Sequence, residues 1–451
     1  MGGLIDKAGL AFRLGGMRRR ERWSRSQIEA WQARTLERLR RHALSHSPFY
    51  ARFHSGLADA PLAELPVLTK AQLMEHFDDL VTDRTIRLRD VEAFATQMGP
   101  LDLFRERYQV VTTSGTTGRR AFMLFAPDEW RWVMASLPRI MHWHGIDTSA
   151  PNAMITTHVP WHMSARCASE AGRLGLGAGR ASLDCAAGTE ALVASLNDLE
   201  PVTLSGYPSM LALLAENRRN GQLRIAPRHI FCTSECLTPD MANSIATAFG
   251  VTPANIYALS EAGAIASTCT AGDSLHVADD MCILESVDEN NRPVPPGTTG
   301  EKTLLTVLFN RTMPLIRYEI TDRIAVAAEP CSCGRQTTLL ARVDGRSGDM
   351  LRLPGSEGCT IAIAPAQISA FLRGLRISGW QLTAGQERLQ LAVVTVDQSC
   401  DADLIASRLA RGLADLGAVV PSISVEPVVE LERGLSGKVT IMRAVNGEKI
   451  H

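Results

Sequence analysis

Between residues 121 and 230 the chain alternates between two kinds of pattern. Ala153–Thr157 and Val202–Ser205 are short apolar runs of strand type, whereas Glu190–Asn197 and Pro208–Arg219 carry helical spacing. Strands separated by helices pair in parallel, because each crossover returns the chain to the same end of the sheet. This alternation restricts the segment to a mostly parallel α/β sheet. The pattern then changes. Gln381–Val396 alternates as two strands, Ala402–Leu416 is an amphipathic helix, and Ile423–Glu430 is a further strand. The expected class is α/β, with a large multi-layered N-terminal domain and a small α+β C-terminal domain. A chain of 451 residues, 45% apolar, supplies enough core for both.

Charge and targeting signals exclude several classes. The formal net charge is −1, so no global attraction to nucleic acid or to an anionic membrane is expected. No apolar run is long enough to span a bilayer. Gly2–Gly16 is mildly apolar, but Arg18, Arg19 and Arg20 follow it instead of preceding it, which does not fit a signal peptide. Residues 1–22 read as a flexible basic arm. Ten cysteines without such a signal point to reduced thiols or metal ligands in a cytoplasmic protein. Residues 24–46 are helical, with Ile28, Trp31, Leu36 and Leu39 on one face, and Thr69 is placed to cap a helix beginning at Lys70. Gly175-Leu176-Gly177-Ala178-Gly179 lacks the spacing of a dinucleotide loop and reads as a turn between helix and strand.

The most chemically biased stretch is Thr112-Thr113-Ser114-Gly115-Thr116-Thr117-Gly118-Arg119-Arg120, which follows the strand-like Tyr108-Gln109-Val110-Val111. Glycines let a backbone approach a ligand closely, successive N–H groups and hydroxyls can surround a phosphate, and two arginines add charge-assisted donors. It is not a Walker A loop, because Gly115 and Gly118 stand too close and no Gly-Lys-Ser/Thr follows. Taken alone, a phosphate-holding loop and a polar turn are equal readings.

Ser-Gly-Thr-Thr-Gly resembles the phosphate loop of the adenylate-forming enzymes, the superfamily of acyl-CoA ligases, adenylation domains and luciferases. A helix followed by Ser47-Pro48-Phe49-Tyr50 and Leu65-Pro66-Val67-Leu68-Thr69-Lys70 is similar to the opening of its phenylacetate-CoA ligase branch. The resemblance implies that Thr113, Ser114, Gly115, Thr116, Thr117 and Gly118 wrap the phosphates of ATP, with Thr116 among the catalytic donors. Cys232-Thr233-Ser234-Glu235-Cys236-Leu237 resembles the family's Gly-Ala-Glu-Pro-Leu and would lay Ser234 and Glu235 along adenine; Thr233 and Cys236 depart from it. The pair Cys232/Cys236 reads either as metal ligands or as buried thiols.

Tyr257-Ala258-Leu259-Ser260-Glu261 looks like the family's Tyr-Gly-x-Thr/Ser-Glu. It implies a tyrosine stacked on adenine, a Ser260 hydroxyl on phosphate and Glu261 as the Mg²⁺ ligand. Arg317-Tyr318-Glu319-Ile320-Thr321-Asp322 resembles Arg-Tyr-x-Thr-Gly-Asp, and Asp344-Gly345-Arg346-Ser347-Gly348-Asp349 resembles Gly-Arg-x-Asp-Asp. Asp322 would accept from the ribose hydroxyls, Arg346 would contact ribose or phosphate, and Asp349 would be the hinge. Gly434-Leu435-Ser436-Gly437-Lys438 resembles the family's Gly-Lys loop, which makes Lys438 the catalytic lysine. The implied domains are 1–348 and a mobile lid, 349–451. Trp161, His162, Ala258 and Leu259 are the expected walls of the acid pocket; the histidines of His158–Met163 read equally as bonded to backbone.

Cys269 and His276 flank a turn, and Cys331 and Cys333 form a Cys-x-Cys. Three thiolates and one imidazole satisfy tetrahedral Zn²⁺, and four closed ligands describe a structural ion. Relatives in the branch carrying such a set strengthen this expectation. The implied reaction is carboxylic acid plus ATP and Mg²⁺ giving acyl-AMP, then transfer to CoA. An amide-forming ligase using an amine, and a zinc-stabilised binding protein without catalysis, are the alternatives. The expected acid is an aryl or small-ring one, and a homodimer is compatible with the sequence.

Overall fold

The computed structural model describes residues 5–113, 121–176, 179–346, 351–355, 360–363, 367–368, 371–372, 375, 377–385, 388–395, 401–434 and 439–444. They cluster into two compact units. The first comprises Met1–Ser149, His158–Ala178 and Ile256–Val343; the second comprises Ala150–Thr157, Gly179–Asn255 and Asp344–His451. The mixed α/β class expected from the sequence is the one the chain adopts.

In the first unit, the long helix Arg25–His46 opens with a capping box in which Ser24 accepts from the Gln27 N–H and the Gln27 side chain accepts from the Ser24 N–H. Thr69 and Gln72 form the same device ahead of Lys70–Glu75. Ser47 caps the short helix Pro48–Phe53, whose proline occupies the first turn, where its missing N–H costs nothing. The antiparallel hairpin Gln109–Thr112 and Phe122–Phe125 pairs Gln109 with Phe125 at one end and Thr112 with Phe122 at the other, and all eight residues are buried. A three-stranded antiparallel sheet is built from Cys282–Val287, Lys302–Val307 and Tyr318–Ile320. The strand Ala254–Leu259 pairs antiparallel with Gly263–Cys269, which pairs in turn with Gly272–Val277. Phe77, Leu124, Trp130, Ile265 and Leu315 lie in one contiguous core.

The structure differs from expectation at the N-terminus. In place of a flexible arm, Lys7–Arg20 is a helix with Asp6 as its cap, Met17 fully buried and Leu10 buried. The sequence hides this helix because the contacts that stabilise it are distant. It packs on the helix Pro127–Trp143, where Gly9 lies so close to Arg131 that an added Cβ would sit 2.6 Å from Nε. Arg20 pairs with Asp280 at 2.7 Å, and the same carboxylate takes Arg139 at 2.6 Å. Tertiary contacts outweigh the weak local propensity of a glycine-containing segment.

In the second unit, four parallel strands lie in the order Arg180–Asp184, Asn152–Thr156, Thr203–Gly206 and His229–Thr233. The helices Thr189–Leu199 and Pro208–Arg219 connect them, as the alternation requires. A four-stranded mixed sheet holds Ser422–Pro427, Arg388–Thr395, Ile377–Ala384 and Met442–Ala444 in that order, with the helix Ala402–Asp415 against Ser422–Pro427. This is the α+β arrangement read from the C-terminal pattern. The strand Ile377–Ala384 packs on the helices Pro208–Arg219 and Pro239–Phe249, so both sheets share one core that includes Leu211, Ile245, Trp380 and Leu391.

Candidate active site and metal centre

The hairpin Gln109–Phe125 sets the position of the glycine–hydroxyl loop. The Thr113 N–H donates to the Ala121 carbonyl at 2.9 Å, and the Ala121 N–H donates to Thr113 Oγ1 at 3.1 Å. Thr113 therefore closes the base of the loop with its own hydroxyl. Ser114, Gly115, Thr116, Thr117 and Gly118 lie outside the described residues.

The turn after Ala254–Leu259 is fastened to this base. Ser260 Oγ donates to the Thr112 carbonyl at 3.3 Å. Gly263 ends the turn at φ +81°, and a Cβ there would meet Val133 Cγ1 at 3.1 Å, so only glycine fits. The ladder slips between Tyr257 and Ala258, a bulge of the kind that re-aims side chains beside ligand sites. Tyr257 Oη donates to Asp322 Oδ2 at 2.7 Å, which joins the two side chains assigned from sequence to adenine and ribose. Glu261 and Asp322 are both buried, and Ala258 and Leu259 are half-buried. Glu261 lies near enough to Tyr318 for its charge to help burial push that phenol upward.

Arg317 is a residue whose importance sequence reasoning missed. Its backbone adopts φ +48°, uncommon for a residue with a side chain. Its guanidinium donates to the carbonyls of Ala63 at 2.8 Å, Leu65 at 2.5 Å and Asn291 at 3.1 Å, and pairs with Glu285 at 3.2 Å. Leu68 donates to the Arg317 carbonyl, and Glu319 donates back to Leu68. Tyr50 Oη donates to the Pro314 carbonyl at 2.8 Å. The Ser-Pro-Phe-Tyr and Leu-Pro-Val-Leu segments thus share one physical task, holding residues 314–319 so that Asp322 follows in place. Their arrangement in sequence was the signal; Arg317 was legible only as the first residue of the Arg-Tyr stretch, not as the clamp.

Trp161 lines an open cavity of about 780 Å³ together with Thr112, Phe122, Met74 and Leu88, with Glu75 and Glu92 also in its wall. The Trp161 carbonyl accepts from the Thr112 N–H at 2.9 Å. His162 is buried at the start of the helix Met163–Arg173 and is not part of that wall.

In the second unit, Ser234 adopts φ +71°, beyond the end of His229–Thr233. Glu235 accepts from the Ser209 N–H at 3.1 Å and the Val439 N–H at 2.6 Å; burial raises its carboxyl above the usual range, with these bonds opposing. Val439 bridges to Arg433, so the pair brackets residues 434–438. Glu235, assigned from sequence to adenine, is bonded to the segment next to Lys438. Lys438 and Asp349 lie outside the described residues, and so does the Arg346 side chain at the end of the strand Leu339–Arg346.

A separate cluster lies in the first unit. The ligand atoms of Cys269, His276, Cys331 and Cys333 all fall within 4.8 Å of one another. The hairpin Gly263–Cys269 and Gly272–Val277 brings Cys269 near His276, and Leu339 pairs with His276 from the strand that follows the Cys-x-Cys turn. Cys269 Sγ is 3.6 Å from Cys331 Sγ, close to the roughly 3.7 Å that tetrahedral sulfurs at 2.3 Å from zinc would show. Cys333 Sγ is 3.2 Å from His276 Nε2, and His276 Nδ1 is 3.1 Å from Thr337 Oγ1. Burial lowers the imidazole pKa to about 4, so the ring is neutral and able to ligate. The donor set suits one tetrahedral ion. Cys232 and Cys236 belong to no second metal-ligand cluster among the described residues.

No family model matches the chain. It is 24% identical over 466 aligned residues to a phenylacetate-coenzyme A ligase of Thermus thermophilus, covering 92% of this chain and 96% of that protein. Among solved structures it is similar to 2-hydroxyisobutyryl-CoA ligase in the postadenylation state with 2-HIB-AMP, at a TM-score of 0.73 and 20% identity over 95% of this chain and 92% of that one. It is also similar to the anthranilate CoA ligase AuaEII with anthranoyl-AMP, at a TM-score of 0.53 and 15% identity over 73% and 65%. The fold is that of the adenylate-forming CoA ligases. The likeness to the phenylacetate-coenzyme A ligase runs along nearly the whole of both sequences. Among the described residues no helix is long and apolar enough to cross a membrane.

Proposed function

We propose that this chain activates a carboxylic acid with ATP as acyl-AMP and then transfers the acyl group to CoA. The observation that carries the proposal is the Tyr257–Asp322 hydrogen bond beside the turn that Ser260 ties to the phosphate-loop base. It joins the adenine and ribose residues of the family pattern on one scaffold.

In the first step a carboxylate oxygen bonds to the α-phosphorus, and the bond to the β-phosphate breaks, releasing pyrophosphate. An anion attacks an anion, so the barrier is largely charge crowding. The donors of residues 113–118 and Lys438 offset it, while Asp322 and Arg346 hold the ribose. Magnesium on Glu261 would supply further charge neutralisation. In the second step the CoA sulfur bonds to the carbonyl carbon, AMP leaves, and the thiol proton passes to solvent. Residues 349–451 form the lid that turns about Asp349 between the steps.

The cavity at Trp161 supports a sizeable apolar acid, aryl or small-ring, since Phe122, Met74 and Leu88 share its wall. Glu75 and Glu92 disfavour an acid with a second carboxylate. A structural zinc ion is held by Cys269, His276, Cys331 and Cys333, and reduced thiols agree with a cytoplasmic setting.

Acid-dependent pyrophosphate release over a panel of monocarboxylates tests the first step. Thioester formation with CoA, in parallel with amines, tests the second. No release with any acid, or amide formation with none to CoA, sinks the reading.

A further inference from the structure

A second cavity of about 620 Å³ lies wholly within the first unit, lined among others by Arg13, Arg38, His42, Arg107, Trp132 and Arg311. It sits at the far end of the hairpin that carries the phosphate loop. Tyr108 and Ala126, in its wall, adjoin the Gln109–Phe125 pair, whereas the loop leaves from the Thr112–Phe122 pair. Three residue steps separate those pairs, roughly 10 Å of strand. The acid-activation residues do not line it.

Its charge is unbalanced. Four carboxylates share the wall, but each is already engaged. Asp280 is held by Arg20 and Arg139. Asp128 pairs with Arg131. Glu129 accepts from the N–H groups of Ala126, Arg311 and Thr312. Asp83 accepts from Thr85 and from the Tyr108 hydroxyl. The guanidinium groups of Arg13, Arg38, Arg107 and Arg311 form no ion pair within 4 Å of a carboxylate among the described residues, and Arg13 feels wall carboxylates, Asp128 and Asp280, at longer range. Arg13 is the most constrained. Its guanidinium lies 4.4 Å over the Trp132 ring, and its Nε is buried without a hydrogen-bond partner. Trp132 stacks on Phe309, both rings buried, and the half-buried Trp31 also lines the wall.

Unpaired guanidinium groups beside an aromatic face suit phosphate oxygens and a planar ring. We infer that this cavity is a second ligand site, taking a phosphate-bearing small molecule. That chemistry has two sources, a free polyphosphate or the phosphates of a nucleotide. A nucleotide would also use the aromatic wall.

Calorimetric titration of the full chain with inorganic pyrophosphate, adenosine 3′,5′-bisphosphate and adenosine tests this. Two variants are compared with the parent, Arg107→Glu/Arg311→Glu and Arg38→Ser/Arg107→Ser. All three arginines are exposed, and a thermal melt confirms folding of each variant. Both variants are expected to weaken binding of the phosphate probes by about tenfold or more, and adenosine to bind more weakly than either probe. Equal affinity for pyrophosphate and the bisphosphate assigns the site to free polyphosphate; tighter binding of the bisphosphate assigns it to a nucleotide. The same affinity in parent and both folded variants, or no binding to the parent, overturns the proposal.

Discussion

The Tyr257 hydroxyl donates to Asp322 Oδ2 at 2.7 Å, across 65 residues of sequence. One partner sits at a bulge between two antiparallel strands; the other opens the strand Asp322–Val326. The bond fixes the ring and occupies one acceptor position of the carboxylate.

Tyr257→Phe keeps the ring and removes the donor. A hydrogen bond to a charged group contributes about 1.5–3 kcal/mol, part of which water recovers at this half-buried position. The KM for ATP is expected to rise about fivefold, with kcat changed less, whereas Tyr257→Ala, which removes the whole ring, is expected to raise KM further. Initial rates of pyrophosphate release against ATP concentration check both. An unchanged KM in the two variants removes Tyr257 from the nucleotide site.

Arg317→Ala leaves the half-buried Glu285 carboxylate without its partner and frees three backbone carbonyls. Breaking a buried ion pair from one side costs about 3–5 kcal/mol. Denaturant unfolding is expected to show a loss of that order. Lysine is not expected to rescue it, because a single ammonium cannot reach the carbonyls of Ala63, Leu65 and Asn291 together.

What could be read in advance divides along physical lines. Local rules were legible. Thr69 caps Lys70–Glu75, and the pattern around Leu389, Leu391 and Val393 became the strand Arg388–Thr395, because those preferences act over a few residues. The clustering of Cys269, His276, Cys331 and Cys333 was legible because their donor chemistry is unusual. The helix Lys7–Arg20 was not, since Asp280 and Arg131, which hold it, lie far along the chain. Nor was the bond from Glu235 to the Val439 N–H, because nothing local marks a carboxylate that supports a distant backbone.

His54 is 2% exposed, its Nε2 has no hydrogen-bond partner among the described residues, and burial, with Arg40 adding to it, lowers its pKa to about 4. The unfolded side chain titrates near 6.5. Between these values the unfolded chain binds more protons, so stability rises with pH across the window and is lost as pH falls from about 6.5 to 4, by up to about 3 kcal/mol. Asp279 acts in the opposite sense, because burial raises its pKa to about 6 and its folded form takes up the proton first. The clean measurement is therefore a difference. The slope of unfolding free energy against pH is expected to be shallower in His54→Gln than in the parent over that window. Parallel slopes would mean that the ring is protonated in the folded state.

The metal reading makes a claim about loss and another about tuning. Metal content is expected to be one zinc per chain, and Cys331→Ser is expected to remove it and lower Tm by more than about 5 °C, because ligation energy is folding energy. Loss of any one ligand would do this, so the sharper experiment concerns Thr337. Its hydroxyl lies 3.1 Å from His276 Nδ1, the ring nitrogen that faces away from Cys333. An imidazole held at one nitrogen presents the other in a fixed direction and tautomer. Thr337→Val keeps the shape and all four donors but releases the ring. Zinc affinity, measured by competition with a chelator, is expected to fall about tenfold while the metal is still bound at stoichiometry. Full retention of affinity would show that the Cys-x-Cys turn and the hairpin alone set the geometry of the site.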